Sequence, residues 1–220
     1  MKQFAVIGLG NFGYYLATQL YKKGYEVLAI DKKLNLVQEI KDGVSQAIVA
    51  DATDRKALEA MGLEEMDAAV VCIGSVLSNS ILATLNLKDI GVKRVLAKAL
   101  SEEHGRILYK IGASEVFFPE KDLALSLAER IHNPNMIEYL PFLEGYSIIE
   151  LSPTKDFIGK SLRDLDLINQ FGIQIIAVKE VVGDRLNLIP TAKFIIKDSD
   201  ILIIIGPNES LEKLKRKAKY

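Results

Sequence analysis

The sequence predicts an α/β protein in which a doubly wound parallel sheet is followed by a smaller α+β domain. Three observations lead to this prediction. Short β-branched runs alternate with helical patterns through residues 3–131, a glycine-rich turn follows the first run directly, and the remainder of the chain changes character, with a hairpin-like turn between two of its runs. The chain of 220 residues is also longer than one usual domain. We therefore expect one medium domain and one small domain.

Six strands are predicted in the first part of the chain, because each run is short, apolar and bounded by turn residues. These strands are 3–8, 26–30, 46–50, 68–73, 94–98 and 115–117. Apolar residues at three-to-four spacing predict helices at 12–23, 34–41, 55–61, 78–90, 102–111 and 123–131. Right-handed crossovers between the strands then give a doubly wound sheet.

The segment His132-Asn133-Pro134-Asn135 is predicted to end the last of these helices, because proline lacks a backbone donor and disfavours helix in the residue before it. We interpret residues 134–144 as a linker or hinge between a domain at 1–133 and a domain at 145–220. Gly183-Asp184 is typical of a hairpin turn. In the second domain, strands are predicted at 146–151, 173–179, 186–189 and 201–205, and helices at 162–170 and 210–217.

Composition limits the classes of function. Hydrophobic residues make up 49% and charged residues 26% of the chain, which is typical of a globular protein. The net charge of −1 gives no general attraction to nucleic acid, and no basic DNA-reading helix is recognisable. No apolar stretch approaches the roughly 18 residues of a membrane helix, so a cytoplasmic location is predicted. The single Cys72 is predicted to be a buried, inert thiol.

The stretch Val6-Ile7-Gly8-Leu9-Gly10-Asn11-Phe12-Gly13 has the pattern G-x-G-x-x-G between a predicted strand and a predicted helix. Gly8 permits a tight turn, Gly10 lets a pyrophosphate approach the backbone, and Gly13 lets the helix pack closely on the strand. The helix N-terminus, with Asn11 and Phe12, offers free amide groups to phosphates. A Rossmann-like nucleotide-binding domain is therefore predicted.

Other candidate binding residues lie at the carboxyl ends of later strands. Asp31 ends the second strand, where a carboxylate accepts the ribose hydroxyls and disfavours a 2′-phosphate, although Lys32 follows it. This position favours NAD or a simple adenine nucleotide over NADP, and a helix N-cap is the alternative role for Asp31. The further candidates are Asp51, Ala52 and Thr53 near the adenine, with helix capping by Thr53 or Asp54 as the alternative, and Ile73, Gly74, Ser75 and Asn79 near the phosphates.

Candidate catalytic groups are sparse. The histidines His104 and His132 have neither metal-ligand spacing nor a nucleophile-base pattern, and we interpret them as surface or capping residues. The sequence contains no G-x-S-x-G, paired cysteines or H-E-x-x-H. Binding is therefore predicted instead of catalysis. An NAD-dependent oxidoreductase with a small cap domain and a redox-sensing transcriptional repressor are the alternatives.

Taken together, these motifs resemble the cytosolic RCK (regulator of K⁺ conductance) subunits of the Trk/Ktr potassium-uptake systems. Residues 4–13, 26–31 and 51–53, and residues 111–113 leading to Pro119-Glu120-Lys121-Asp122, follow the family's order and spacing. The strands at 146–151 and 201–206 resemble its C-terminal regulatory domain. The resemblance covers essentially the whole chain.

The resemblance implies a cytoplasmic regulatory subunit that forms dimers and a ring, often an octamer, beneath a membrane potassium transporter. Its implied ligands are AMP, ADP, ATP or NAD(H), whose binding shifts the ring between shapes and so gates the transporter. Lys98 is implied to lie near the nucleotide, and Glu120 is implied to bind Mg²⁺ or Ca²⁺ near the phosphates at a subunit interface.

Two residues depart from the family pattern. Asn11 stands where close relatives have an arginine that reaches the terminal phosphate of a nucleotide in the neighbouring subunit, which argues against strong discrimination of ATP from ADP. Ile168 stands where an arginine would help to bind cyclic di-AMP in the C-terminal domain.

Overall fold

The computed structural model describes residues 2–132 and 136–217. The chain divides into two compact units, Met1–Glu120 and Lys121–Tyr220. The limits of the two domains predicted above stay a prediction. Each unit has its own sheet and its own core.

The first unit contains a six-stranded sheet in which all pairs are parallel, in the order β3-β2-β1-β4-β5-β6. Its strands are β1 (Gln3–Ile7), β2 (Glu26–Asp31), β3 (Gln46–Val49), β4 (Ala68–Val71), β5 (Val95–Lys98) and β6 (Glu115–Phe117). The predicted doubly wound fold is confirmed. Because the chain runs outward in both directions from the neighbouring β1 and β4, a crevice forms at their carboxyl ends.

Helices cover both faces of this sheet. They are α1 (Asn11–Lys22), α2 (Leu34–Ile40), α3 (Arg55–Glu59), α4 (Leu77–Asp89) and α5 (Glu102–Lys110). The next helix, α6 (Pro119–His132), begins at the end of the first unit and continues into the second. Successive strand residues alternate between two cores, so that Ile7 and Val71 pack in one while Val6, Val70 and Cys72 pack in the other. Cys72 is therefore buried, as predicted. Helix α6 begins earlier than predicted, because proline suits the first helical turn.

The second unit contains a five-stranded antiparallel sheet in the order β10-β9-β11-β8-β7. Its elements are β7 (Met136–Leu143), β8 (Tyr146–Leu151), α7 (Leu162–Leu165), α8 (Leu167–Phe171), β9 (Gln174–Glu180), β10 (Arg185–Leu188), β11 (Asp200–Pro207) and α9 (Asn208–Lys217). Alternate residues of β8 and β11, including Ile149, Leu151, Leu202 and Ile204, form its core. The predicted α+β character is confirmed.

Two predictions about this unit are corrected. Residues 136–143 form β7 where a linker was expected, because they pair antiparallel with β8 across a turn at Gly145, whose φ is 78°. Positions 134 and 135 lie outside the described residues. The helix predicted at 162–170 is two helices, since Asp166 adopts a left-handed φ of 41° between them.

Candidate functional site

The carboxyl ends of the parallel strands surround a cleft of about 460 Å³ in the first unit. Its position at the strand-order reversal is where open α/β sheets bind ligands. Most of the predicted binding residues line this cleft: Gly8, Gly10, Asn11, Phe12, Asp31, Lys32, Asp51, Ala52, Ile73, Gly74, Ser75, Asn79 and Lys98, together with Glu120. Gly13 and Thr53 are outside the lining and act on it indirectly.

The three glycines of the turn have different structural roles. Gly8 has φ of 93°, and a Cβ there would lie 2.9 Å from the backbone nitrogen of Ile73. A Cβ on Gly13 would lie 1.9 Å from the carbonyl oxygen of Gly8, so α1 approaches β1 too closely for any side chain. A Cβ on Gly10 would meet no atom within 4 Å. The fold itself thus requires Gly8 and Gly13, whereas the space beside Gly10 is open for a ligand.

The first turn of α1 presents backbone amides to this cleft. Gly10 is the N-cap residue, no side chain caps the helix, and its first turn has no acidic residue. The following Asn11 and Phe12 line the cleft, and the Phe12 ring packs against Phe117 with 5.3 Å between centroids. The uncapped amides and the helix dipole together favour an anion at this position.

Asp31 ties the glycine-rich turn to the end of β2. Its Oδ2 accepts a hydrogen bond from the Leu9 amide at 2.7 Å, and its Oδ1 accepts one from the Lys33 amide at 2.8 Å. The N-cap of α2 is Lys33, so Asp31 does not have the alternative N-cap role. A carboxylate has about four acceptor positions, so these two bonds leave room for ribose hydroxyls.

At the end of β3, Asp51 faces the cleft and Thr53 supports it. Oδ1 of Asp51 accepts hydrogen bonds from the amide and the hydroxyl of Thr53, at 2.9 and 2.7 Å. These bonds lower the pKa of Asp51, which keeps the carboxylate ionised. The capping of α3 belongs to Asp54, which accepts from the Lys56 amide.

On the opposite wall, the ammonium group of Lys98 pairs with Glu120. The Nζ to Oε1 distance is 2.6 Å, and the Lys98 side chain is only 9% exposed. The hydrogen bond from Lys98 lowers the pKa of Glu120. Within residues 2–132 and 136–217, no group of three or more His, Cys, Asp or Glu side chains is placed to hold a metal ion. The divalent cation at Glu120 stays a prediction.

The histidine prediction is partly wrong. His104 is fully buried, and its Nδ1 accepts a hydrogen bond from the Leu100 amide at 3.2 Å, which joins the loop before α5 to the first turn of this helix, whose N-cap is Ser101. Burial lowers the pKa of His104 and keeps the ring neutral. His132 is exposed at the end of α6. Leu100 itself lines the cleft and was missed, although it lies only two positions beyond the end of β5.

Cys72 also lines the cleft, but its environment makes it inert. Burial raises the pKa of the Cys72 thiol to about 12, although the charge of Lys98 opposes this shift. The thiol therefore stays protonated and is a poor nucleophile at neutral pH.

The second unit has a cleft of about 280 Å³ between α7, α8 and the start of β9. Arg163, Ile168, Gln174 and Pro190 are among the residues that line it, and Ile168 is 60% exposed. Across the described parts of both units, every helix is too short or too polar to span a bilayer.

Comparison with known proteins gives matches over most of the chain. The TrkA-N domain model matches residues 4–119, and the TrkA-C domain model matches residues 146–219. The Ktr system potassium uptake protein C of Bacillus subtilis is 37% identical over 216 residues, which cover 98% of this chain and 97% of that protein. The Ktr system potassium uptake protein A of Vibrio alginolyticus is 36% identical over 97% of each chain.

Solved structures with the same fold include two ligand complexes. The GsuK channel bound to NAD has a TM-score of 0.55 and 23% identity, over 99% of this chain and 38% of that one. GsuK bound to ADP has a TM-score of 0.51 and 25% identity, over 59% of this chain and 33% of that one. This chain therefore spans less than half the length of the GsuK channel.

Proposed function

Because the chain belongs to the TrkA/Ktr family of potassium-uptake proteins, we propose that it is a nucleotide-sensing regulatory subunit of a membrane potassium transporter. The observation that carries this proposal is the cleft at the end of β1, where Gly10 leaves open space beside the uncapped N-terminus of α1. An anionic group fits there, and the family relatives are potassium-uptake proteins.

The proposed ligand is an adenine nucleotide, AMP, ADP, ATP or NAD(H). Its phosphates would meet the amides around Gly10, its ribose would bond to Asp31, and its adenine would lie near Asp51 and Ala52. GsuK complexes with NAD and with ADP support this ligand class. Asn11 carries no positive charge, so we expect little discrimination of ATP from ADP at that position.

The cleft supports ligand binding better than catalysis, because the carboxylates that line it and the buried ammonium group of Lys98 already have structural partners. Asp31 accepts from two amides, Asp51 accepts from Thr53, and Lys98 pairs with Glu120. The Cys72 thiol is protonated at neutral pH. A general acid or base needs a pKa near the working pH and a free approach to the substrate.

Self-association is the proposed route from ligand binding to transporter gating. Helix α6 exposes four apolar side chains, Leu123, Leu125, Leu127 and Ile131, which are 69%, 54%, 48% and 74% exposed. Exposed apolar groups of this kind mark association surfaces. We propose a dimer through this helix and a ring, octameric in the simplest case, on the cytoplasmic face of the membrane, in which the nucleotide shifts the population of two ring shapes.

The test of the ligand site is Asp31→Ala, with Asp31→Asn as the variant that keeps an acceptor for the Leu9 amide. We expect calorimetric affinities for AMP, ADP and NAD to fall together by roughly ten- to a hundredfold in Asp31→Ala, since all three share the adenosine ribose. Asp42→Ala removes an exposed carboxylate outside the cleft and is the matched control. Unchanged affinities in the Asp31 variants would contradict the site.

The regulatory role is tested with the subunit bound to its transporter in liposomes. Potassium flux should depend on added nucleotide with the wild-type subunit and should lose that dependence with Asp31→Ala. Potassium flux that does not depend on nucleotide with either the wild-type subunit or Asp31→Ala would contradict the proposal. Steady NAD-dependent turnover of a small substrate by the subunit alone would also contradict it.

A further inference from the structure

The ion pair between Lys98 and Glu120 is asymmetric. The Lys98 side chain is 9% exposed and the Glu120 side chain is 65% exposed. A buried ammonium group needs a partner, because the energy of removing it from water is large. Glu120, by contrast, can turn into solvent and be hydrated. Any other anion that reaches Lys98 can therefore replace Glu120 at small cost.

The ammonium group lies beside the proposed phosphate site. A Cβ on Gly74 would be 3.0 Å from Nζ of Lys98, so the ammonium group lies close against the backbone of Gly74. The preceding residue, Ile73, is the one whose backbone nitrogen lies against Gly8 of the glycine-rich turn. Lys98, Glu120 and Gly10 line the same cleft.

Given the proposed nucleotide site, we infer that Glu120 is an internal competitor of the ligand for Lys98. An anionic phosphate in the cleft forms an ion pair with the ammonium group of Lys98, and the carboxylate of Glu120 turns into solvent. A neutral ligand leaves the pair intact. The exchange makes Lys98 the residue that distinguishes phosphorylated nucleotides from the bare nucleoside, and Glu120 sets the strength of that discrimination.

The exchange also changes how α6 begins. Glu120 is the second residue of α6, and its bond to Lys98 joins the first turn of this helix to the end of β5. When a phosphate occupies Lys98, that bond is lost. Binding of a charged ligand therefore releases the first turn of α6 from β5, and α6 is the helix that exposes Leu123, Leu125, Leu127 and Ile131.

The test is Glu120→Gln, titrated calorimetrically with ADP and with adenosine in EDTA. We expect ADP to bind about tenfold more tightly than to the wild type, because the competing carboxylate is gone, while adenosine affinity stays within about twofold. Asp122→Asn removes the same charge two residues further along α6 at a position outside the cleft lining, and should leave both affinities unchanged.

A double-mutant cycle with Lys98→Met makes the test independent of long-range charge. Lys98→Met should lower ADP affinity towards that of adenosine, and Glu120→Gln should have no further effect in that background. ADP affinity that is unchanged or weaker in Glu120→Gln, with adenosine binding retained, would overturn the competitor role and leave the proposed function standing. Failure of the wild type to bind either ligand would overturn the proposed function itself.

Discussion

The two units differ in how they use left-handed backbone. Among the described residues of the first unit, every position with positive φ is a glycine: Gly8, Gly24, Gly62, Gly91 and Gly112. In the second unit, three residues with side chains also adopt positive φ: Asp166, Asp184 and Ile189. Aspartate tolerates this conformation, but a β-branched residue is strained in it. In the first unit, glycine therefore marks each left-handed position in the sequence, whereas in the second unit some of these positions carry no glycine.

The difference extends to where polar groups lie. Parallel strands bring Asp31, Asp51 and Lys98 to one edge of the first sheet, where they form a single cleft. The antiparallel sheet of the second unit has strand ends on both edges and exposes apolar side chains on its edge strands, such as Leu140 and Leu188. The parallel topology of the first unit thus places its polar side chains together in one cleft, where a ligand can bind.

The largest expected effect is that of Gly13→Ala. The new Cβ would lie 1.9 Å from the carbonyl oxygen of Gly8, and because that atom is backbone, α1 would have to move away from β1. We expect a loss of roughly 3 kcal/mol or more in the free energy of unfolding, together with loss of nucleotide binding as the N-terminus of α1 shifts. Urea unfolding and calorimetry measure the two effects.

The matched control in the second unit is Gly206→Ala. Its Cβ would lie 2.5 Å from Cγ2 of Ile173, a side-chain atom, so the buried Ile173 would have to shift but no backbone atom is approached as closely as at Gly13. We expect a loss of about 1 to 3 kcal/mol with nucleotide affinity unchanged. Wild-type stability and affinity in Gly13→Ala, or loss of affinity in Gly206→Ala, would remove the distinction between the units.

The sequence predicted the first unit well because its signals are local. Each strand is a short apolar run, each helix has its own periodicity, and the glycine pattern fixes the turn after β1. The carboxyl ends of parallel strands meet by topology, so candidates chosen strand by strand came together in one cleft. The partners within the cleft were not predictable: the contact of Lys98 with Glu120 depends on side-chain positions.

The second unit was predicted less well because its elements depend on distant partners. The linker was predicted from the proline break after the last helix, yet β7 follows, and because β7 is an edge strand it tolerates Pro141. The break between α7 and α8 at Asp166 has no glycine or proline to signal it. In the first unit, His104 was misjudged for the same reason, since burial is a property of the packed fold.

The next effect concerns the dependence of stability on pH. Burial lowers the pKa of His104 in the folded state below its unfolded value of 6.5. Between these two values the unfolded chain binds a proton that the folded chain does not, so stability should decrease as pH falls from about 6.5 towards the folded pKa. Above pH 6.5 both states are neutral and this contribution is constant.

His104→Gln keeps a side-chain acceptor for the Leu100 amide and removes the titration. We expect it to change stability at pH 7.5 by about 1 kcal/mol and to flatten the decrease below pH 6.5, as measured by urea unfolding at several pH values. An equal decrease in wild type and His104→Gln would exclude His104 as the source.

The smallest expected effect is that of Ile189→Gly, which tests the strain in the second unit. Ile189 has φ of 53°, its side chain is 82% exposed, and its amide donates to the carbonyl of Ile176 at 2.9 Å. Glycine relieves about 1 to 2 kcal/mol of left-handed strain in the folded state, but it loses more backbone entropy on folding, which costs about 0.5 to 1 kcal/mol. The hydrogen bond from the amide at position 189 to Ile176 is kept in the variant. We therefore expect a net gain of about 0.5 kcal/mol in the free energy of unfolding. Leu188→Gly, at the neighbouring exposed position within β10, lacks that relief and should lose stability. If both variants lose stability equally in urea unfolding, the left-handed conformation at Ile189 carries no strain, and the contrast between the two units disappears at this position.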